Sequence, residues 1–288
     1  SVPPHTDSDN NVVSSSMGKA NLLAKIFAAN STMPPPVNEP PILNLNSPPM
    51  PPFIISTGVV LKILRALDIN KACGSDEIPP IVLKNCAPEL APILAKLFKL
   101  SLDLSEFPVP WKIANVHPIP KKGNHNDPSN YRPISLTSTI SKVFETIVNF
   151  KLIKHLESNH LISDKQYGFR SERSSGDLLS YVLHGWNEAL DCHGETHAVA
   201  LDISKAFDRV SHSLLISKLS AFGLSQNLVS WFSSFLSNRR IRVVLDGIQS
   251  QQYVINAGVP QGSVLASTLF LLHLNSIFNI TVNPIHSY

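Results

Sequence analysis

Hydrophobic residues recur at intervals of three and four along much of the chain, a spacing that places side chains on one face of a helix. Each such segment is therefore predicted to be an amphipathic helix with its apolar stripe turned towards a core. The helices are predicted over about residues 18–29, 57–67, 88–104, 138–158, 176–190, 212–222 and 226–237, with a last one starting near residue 262. Ser56 or Thr57 is placed to cap the second helix. Pro92 is expected near the start of the third, where the first turn tolerates proline.

Four shorter runs have the composition or alternation of strands. Residues 113–119 alternate, and residues 196–203 are so rich in β-branched and apolar side chains that a buried strand is predicted. Residues 240–245 and 251–257 are predicted to pair around Asp246-Gly247, a common hairpin turn. Helices and strands mix without regular alternation, so the predicted fold class is α+β.

Proline separates the opening of the chain from the rest. Eleven of the 23 prolines fall between residues 3 and 52, in runs that cannot form regular ladders because proline lacks a hydrogen-bond donor. Residues 1–55 are therefore predicted to be a Pro-rich, mostly irregular linker that carries only the first short helix. Residues 56–288 are predicted to form the folded domain.

Composition narrows the class of protein only slightly. Apolar residues make up 43% and charged residues 16%, as in soluble globular proteins, and the longest strongly apolar stretch, residues 264–274, is too short to cross a bilayer. Three widely spaced cysteines point to neither a zinc site nor a disulfide framework. The net charge is +3, but residues 112–173 hold ten Lys or Arg against five Asp or Glu. This excess fits either a phosphate-facing surface or an ordinary solvated face.

Asp202 is the candidate for metal chemistry, because it lies at the end of the predicted buried strand. A carboxylate at a strand end faces water and can offer an oxygen ligand to a divalent cation. The alternative is a structural aspartate at the start of the helix that follows, and the residues alone leave these two interpretations equal for Asp202. For Asp208 the structural interpretation is the better one.

A turn at residues 257–263, Ala-Gly-Val-Pro-Gln-Gly-Ser, combines glycines with one amide side chain. Glycine lets a backbone approach a ligand closely, and Gln261 offers both a donor and an acceptor to a base or a sugar. A plain strand-to-helix turn is the alternative.

Two basic clusters could contact phosphate or nucleic acid. The dipeptide Lys121-Lys122 lies on a predicted turn, and Arg132 follows with the bidentate fork that suits phosphate. The dipeptide Phe169-Arg170, with Arg173 nearby, interleaves an aromatic ring with guanidinium groups, which suits stacking and phosphate contact. Taken singly, each cluster is more often a surface loop.

The order of these clusters resembles the reverse transcriptase domain of non-LTR, or LINE-like, retrotransposons, above all the jockey type. The resemblance covers about residues 56–288. It includes Lys71 to Asp76, which is similar to the family's Lys-Ala-Pro-Gly-Pro-Asp-Gly segment. The further matching segments are Trp111-Lys112, Asn130 to Leu136, Gly168 to Arg170, Leu201 to Val210 and Gly258 to Leu265. Each match is weak alone, and the ordered set is specific.

The resemblance implies a right-hand polymerase, of which this chain holds the fingers and part of the palm. Asp202 matches the catalytic aspartate that binds two Mg²⁺ ions, and the Ile203 carbonyl matches a further metal ligand. The residues that match the family's nucleotide site are Lys121, Arg132, Ile203, Phe207, Gln261 and Gly262. Those expected to contact nucleic acid are Lys122, Phe169, Arg170 and Arg173.

The implied reaction is RNA-directed DNA synthesis by two-metal nucleotidyl transfer, with an RNA template, a DNA primer and dNTP as partners. Phe207 would stack under the incoming sugar and exclude a 2′-hydroxyl group, and Arg132 with Lys121 would hold the triphosphate. The family implies an intracellular protein of the cytoplasm and nucleus without a membrane span. The number of subunits stays open.

The chain departs from the family at the metal site. Tyr288 matches the tyrosine of the family's Tyr-Ala-Asp-Asp hairpin, and no adjacent Asp pair occurs in the 288 residues. We expect a truncated domain without the thumb that does not extend a primer alone, because several carboxylates must offset the repulsion between two Mg²⁺ ions. Smaller departures are Cys73, Glu77, Ala266-Ser267, His273 and Ser276, where the family has Pro, Gly, Gly-Pro, Tyr and Asp.

Two alternatives keep the fold of the resemblance and change the function. One is a non-catalytic nucleic-acid-binding relic of such a domain, and the other is a reverse transcriptase of the intron-maturase type. An α+β domain of unrelated function would require several ordered motifs to coincide by chance. No endonuclease is expected within these residues.

Overall fold

Helices and strands mix along the chain, as the predicted α+β class requires. The computed structural model describes residues 2–6, 11–34, 47–279 and 285–288. In these residues the helices are α1 (Ser16–Asn30), α2 (Thr57–Arg65), α3 (Pro80–Asn85), α4 (Ala87–Asp103), α5 (Thr139–Ser158), α6 (Ser175–Asp191), α7 (His212–Leu219), α8 (Gln226–Leu236) and α9 (Ala266–Leu274). The strands are β1 (His5–Thr6), β2 (Val12–Val13), β3 (Ile113–Pro120), β4 (Tyr131–Leu136), β5 (Arg239–Leu245), β6 (Ile248–Gln249) and β7 (Tyr253–Ile255). Short 3-10 helices cover Val109–Lys112, Pro128–Asn130, Ala206–Arg209, Ser220–Phe222 and Asn275–Asn279. Within the described ranges, none of the helices has both the length and the apolar character needed to cross a bilayer.

The main sheet is mixed, with the strand order β4-β3-β5-β6 and with β7 also paired to β5. β3 and β4 are antiparallel, and Ile119 lies opposite Arg132. β5 runs parallel to β3, with Val243 opposite Val116. The hairpin predicted at Asp246-Gly247 is confirmed and joins β5 to β6. The sheet therefore ties the two halves of the chain together.

The larger of two buried clusters fills the space between the helices. Phe144 stacks on Phe98 with ring centroids 4.5 Å apart, and Trp231 meets Phe144 edge-on at 5.2 Å. Because aromatic rings bury large apolar areas in preferred geometries, these contacts set the packing of α4, α5 and α8. Apolar spacing predicted all three helices, and their observed bounds differ only at the ends.

The smaller buried cluster lies between α1 and the main sheet. Leu23 and Phe27 of α1 are buried together with Ile241 and Val243 of β5. The predicted first helix is thus confirmed. It packs on the main sheet, although composition assigns it to the linker predicted over residues 1–55. The predicted domain boundary at residue 55 stays a prediction, because it rests on composition.

The predicted buried strand at residues 196–203 is wrong. These residues have no regular structure, and Val199 and Leu201 are 84% and 85% exposed. A strand needs a neighbour to bond its backbone N–H and C=O groups, and none lies beside this segment in the part of the chain that the structure describes. The preceding helix α6 likewise has no buried residue. Apolar and β-branched composition therefore does not make a strand where the pairing partner is missing.

The expected position of Pro92 is also wrong. Pro92 is the sixth residue of α4 and lies inside the helix, whereas Pro88 occupies the first turn. Proline at this point removes one backbone hydrogen bond. The helix continues because Leu94 and Phe98, on its next turns, are buried in the larger cluster.

Candidate active site

A cavity of about 350 Å³ brings together five of the predicted site residues. They are Lys121, Arg132, Asp202, Ile203 and Gln261. Its volume lies in the range of small-ligand pockets. The lysine–arginine hairpin, the Asp202 segment and the Gln261 turn therefore meet at one place, although Asp202 is not carried by a strand.

The hairpin of β3 and β4 supplies the basic side of this cavity. Arg132 lies opposite Ile119, which is two residues before Lys121. The Lys121 N–H extends the pairing by donating to the Asn130 carbonyl oxygen at 2.7 Å. Both cationic residues are thereby held at the same end of one hairpin, where their side chains can share an anion.

The segment after Asp202 is held by the end of α1. Lys205 has a left-handed backbone with φ of 57°, and its ammonium group donates to Asn30 Oδ1 at 2.7 Å. Asn30 is the last residue of α1 and also lines the cavity. No sequence pattern predicts this contact, because the two residues are 175 positions apart and α1 was expected to belong to a linker.

Backbone hydrogen bonds fix the Gln261 turn on two sides. The Val259 N–H donates to the Phe207 carbonyl oxygen at 2.8 Å, and the Ser135 N–H donates to the Gln261 carbonyl oxygen at 2.9 Å. Gly262 has φ of +135°, and a Cβ at this position would lie 2.1 Å from the Ser135 carbonyl oxygen. Glycine alone both adopts this positive φ readily and leaves room for the Ser135 carbonyl oxygen. Gly262 therefore lets the turn pack directly on the end of β4.

Asp208 is the buried partner of Gln261. It is 8% exposed, and its Oδ1 accepts a hydrogen bond from Gln261 Nε2 at 2.8 Å. Burial raises the pKa of Asp208 above its ordinary value, although the bond from Gln261 and the charge of Lys205 act in the opposite direction. Asp208 lies in the first turn of the 3-10 helix Ala206–Arg209, which agrees with the structural interpretation of this residue.

Phe207 and Gly262 line a neighbouring cavity of about 360 Å³. Gln261 and Lys205 line both cavities, so the two spaces adjoin. The Phe207 ring stacks on Phe270 of α9, with centroids 4.4 Å apart. A ring anchored in this way presents a rigid aromatic wall.

Two of the residues expected to contact nucleic acid are engaged within the protein. Arg170 donates to both oxygens of Glu157, at 2.9 and 2.6 Å, and its side chain is 6% exposed. Arg173 pairs with Asp164 at 2.5 Å. This geometry favours a structural role for both arginines, and their contact with nucleic acid stays a prediction.

The other two residues of that group are exposed. Phe169 is 56% exposed and lines a third cavity of about 490 Å³ along α5. Lys122 is exposed in the turn after β3. Both side chains are accessible to a large ligand such as a nucleic-acid strand.

The residues at the cavity do not by themselves fit a two-ion site. Asp202 and Asp208 both line the cavity, but Asp208 is buried and bonded to Gln261. Across the described ranges, no three side chains of the His, Cys, Asp or Glu type lie close enough together to hold a metal ion. Two divalent cations at short separation repel strongly and need several carboxylates around them. Asp202 could supply only part of such a site.

Comparison with known proteins identifies the family of the chain. A family model described as reverse transcriptase (RNA-dependent DNA polymerase) matches residues 119–287. The probable RNA-directed DNA polymerase from transposon X-element of Drosophila melanogaster is 32% identical over 215 residues, which are 74% of this chain and 24% of that protein. The RNA-directed DNA polymerase from mobile element jockey of the same organism is 32% identical over 222 residues, covering 77% of this chain and 24% of that protein.

The chain belongs to the reverse transcriptase family. Within it, the chain is a reverse transcriptase domain of the non-LTR retrotransposon type, as the order of its motifs predicted. It spans about a quarter, 24%, of the length of the curated relatives named above.

Proposed function

We propose that the 350 Å³ cavity is the dNTP site of an RNA-directed DNA polymerase and that this chain forms its fingers and part of its palm. The observation that carries this proposal is that Asp202, Arg132 and Gln261 line one cavity. A carboxylate, a guanidinium and an amide around one space suit a ligand with a metal-bound triphosphate at one end and a nucleoside at the other.

Arg132 and Lys121 bind the triphosphate in this proposal. In the described residues neither cation is part of an ion pair, so both are available to an anion. Their position at one end of the β3–β4 hairpin lets them approach the same ligand. The guanidinium can donate two parallel bonds to a phosphate, and the ammonium adds a point charge.

Phe207, Gln261 and Gly262 contact the nucleoside. Phe207 and Gly262 line the adjoining cavity, and Gln261 lies at the junction of the two. The ring of Phe207, stacked on Phe270, lies against the sugar and leaves no room for a 2′-hydroxyl group. Gln261 supports the sugar or the base, because its amide both donates and accepts hydrogen bonds.

The cofactor in this proposal is Mg²⁺, with Asp202 and the Ile203 carbonyl as two of its oxygen ligands. Because these 288 residues contain no adjacent Asp pair, a polypeptide made of them alone does not extend a primer. The test is a primer-extension assay on an RNA template with purified protein. Template-dependent DNA synthesis that disappears in Asp202→Ala would contradict this part of the proposal.

Titration with a fluorescent dATP analogue in the presence of Mg²⁺ tests the nucleotide site directly. We expect Arg132→Ala to weaken binding roughly tenfold or more, because a charge-assisted bidentate contact is lost. Arg65→Ala is the matched control, since Arg65 is an exposed arginine of α2. Equal affinity of wild type and Arg132→Ala would refute the assignment of the site.

Nucleic-acid binding without catalysis is the second candidate function. The cationic excess in residues 112–173 and the exposed side chains of Phe169 and Lys122 favour it. Binding of an RNA–DNA duplex that weakens steeply with added salt, without nucleotide binding, would separate it from the polymerase proposal. The polymerase proposal includes an RNA template and a DNA primer as partners, and both proposals place the protein in the cytoplasm and nucleus.

A further inference from the structure

Glu145 is a fully buried residue of α5 whose partners are at the start of α9. Its Oε2 accepts hydrogen bonds from the Ser263 hydroxyl at 2.5 Å and from the Val264 N–H at 2.8 Å, and the Leu265 N–H lies 3.5 Å away. α9 has no capping side chain of its own. Glu145, on a different helix, therefore holds the residues that lead into α9 by accepting from the Ser263 hydroxyl and the Val264 N–H, while the Leu265 N–H also donates to the Ser263 hydroxyl at 3.2 Å.

These hydrogen bonds directly follow the turn that carries Gln261. Ser263, which Glu145 binds, is two residues after Gln261. The turn is also tied to Asp208 through the Gln261 amide and to Ser135 through the backbone. It is thus anchored to three separate segments, of which α5 is one. Anchors on all these segments restrict the positions that the Gln261 side chain can take at the cavity.

Hydrogen bonds continue from Glu145 to the segment Lys71 to Asp76, to which the proposed function gives no role. The Ser141 hydroxyl donates to Glu145 Oε1 at 2.6 Å. Ser138, the N-cap of α5, accepts from the Ser141 N–H at 3.3 Å and donates to Asp76 Oδ2 at 2.5 Å. Both carboxyl oxygens of Glu145 are therefore fixed by polar partners, and connected networks of this kind hold their members in one orientation.

Close packing holds the Lys71 to Asp76 segment against the start of α5. A Cβ at Gly74 would lie 2.3 Å from the Thr137 carbonyl oxygen, so only glycine fits there. The neighbouring Ser75 hydroxyl donates to the Ile113 carbonyl oxygen at 2.8 Å. The hydrogen-bond network that begins at Ser263, beside Gln261, therefore ends at Asp76 in a tightly packed segment.

We propose that Glu145 is a positioning residue of the nucleotide site, which holds Ser263 and the start of α9 so that Gln261 is presented to the cavity. Asp76, Ser138 and Ser141 in turn hold the Glu145 side chain. Burying a carboxyl group costs free energy, and an apolar side chain of the same volume would fill the space at lower cost. The carboxyl group of Glu145 therefore has a role beyond packing. The inference rests on the proposed nucleotide site.

The test compares Glu145→Ala with Asn149→Ala. Asn149, one turn further along α5, accepts a hydrogen bond from the Thr268 hydroxyl at 2.6 Å and so also joins α5 to α9. Both variants lose an α5–α9 hydrogen bond, but only Glu145 contacts the segment next to Gln261. The measurements are affinity for a fluorescent dATP analogue with Mg²⁺, hydrogen exchange at residues 262–266, and thermal unfolding.

Glu145→Ala should weaken nucleotide binding about tenfold and speed exchange at Val264 and Leu265, as expected when a buried hydrogen-bond partner is removed. Glu145→Gln should retain most of the affinity, because its amide oxygen can still accept both bonds. Asn149→Ala should lower the unfolding temperature and leave the affinity unchanged. Ser263→Ala serves if Glu145→Ala does not fold. It removes the bond to Glu145 and the bond that the Ser263 hydroxyl accepts from the Leu265 N–H, and we expect it to weaken binding roughly threefold.

Two results would overturn the inference while leaving the nucleotide site intact. One is unchanged affinity in Glu145→Ala or, if that variant does not fold, in Ser263→Ala. The other is an equal loss of affinity in Asn149→Ala, which would reduce Glu145 to a general structural role. If the wild-type chain binds no nucleotide at all, the proposed function itself fails and the positioning role fails with it.

Discussion

The side-chain amide of Gln261 donates a hydrogen bond of 2.8 Å to the buried carboxyl group of Asp208. The two residues are 53 positions apart, and the bond joins the loop that follows Asp202 to the turn that precedes α9. Since Nε2 is held, Gln261 cannot rotate freely at the junction of the two cavities. One hydrogen bond thus couples the conformations of the two segments that line the candidate site.

Replacing Asp208 with alanine tests the energy of this pair. We expect Asp208→Ala to lower the free energy of unfolding by about 2 kcal/mol, because Gln261 Nε2 loses its partner and a small void remains. Asp208→Asn is the control, since its amide oxygen can still accept the bond. Urea denaturation followed by circular dichroism gives both values, and equal losses in the two variants would contradict the role of the hydrogen bond.

Acid should destabilise the protein in part through His273. Burial lowers the pKa of His273 to about 4, against an ordinary value of 6.5. A histidine whose folded pKa lies below its unfolded value stabilises the fold above the unfolded value and loses this contribution as the pH falls towards the folded one. Going from pH 7 to pH 5 should therefore cost about 2 kcal/mol at this residue. Urea denaturation at both pH values checks this. Between pH 7 and pH 5, the free energy of unfolding of His273→Asn should fall by about 2 kcal/mol less than that of the wild type. An equal fall in both proteins would contradict the lowered pKa of His273.

A carboxylate at residue 276 should stabilise the fold. Lys218 is 8% exposed and donates to the Ser276 hydroxyl at 2.8 Å, and burial lowers the pKa of this lysine. Ser276→Asp would give the buried ammonium a charged partner, partly opposed by the dipole at the end of α9. We expect a net gain of about 1 kcal/mol in the free energy of unfolding. Ser276→Asn is the neutral control, and a gain of the same size there would rule out the charge as the cause.

Limited proteolysis should cut first in residues 196–203. Leu201 is 85% exposed in a segment without regular structure, whereas Leu269 of α9 is fully buried. Chymotrypsin needs an extended, accessible backbone, and such segments open at almost no free-energy cost. Mass spectrometry of the first fragments should therefore find cleavage after Leu201 before any cleavage in α9. Early cleavage within α9 would contradict the described exposure.

Local patterns were enough to predict the longer helices, whereas the six-residue α3 was missed. Residues 138–158 were expected to be helical, and α5 covers Thr139–Ser158 with Ser138 as its N-cap. Apolar spacing and capping act within a few residues, so one sequence suffices to detect them. The strand expected at residues 196–203 failed for the opposite reason, because a strand exists only beside a partner that lies elsewhere in the chain.

The site was foreseeable only where motifs identified its residues. Lys121, Arg132 and Gln261 were found through the order of the family's segments, and all three line the cavity. Glu145 was missed because it lies between apolar residues of a helix and looks like an ordinary surface position, although it is fully buried. Asn30 was missed because its partner is distant in sequence. Contacts between residues so far apart in sequence form only in the folded chain, so no local pattern predicts them.

Affinity labelling of lysines tests the nucleotide cavity most directly. A dATP analogue with a reactive acyl group on its terminal phosphate transfers that group to lysines close to the bound triphosphate, and mass spectrometry identifies them. Lys121 and Lys205 both line the cavity, whereas Lys122 is exposed beside it. We expect labelling of Lys121 or Lys205 that unmodified dATP suppresses and that Arg132→Ala reduces, with no such competition at Lys122. Labelling spread over exposed lysines, with no competition by dATP at either cavity lysine, would contradict it.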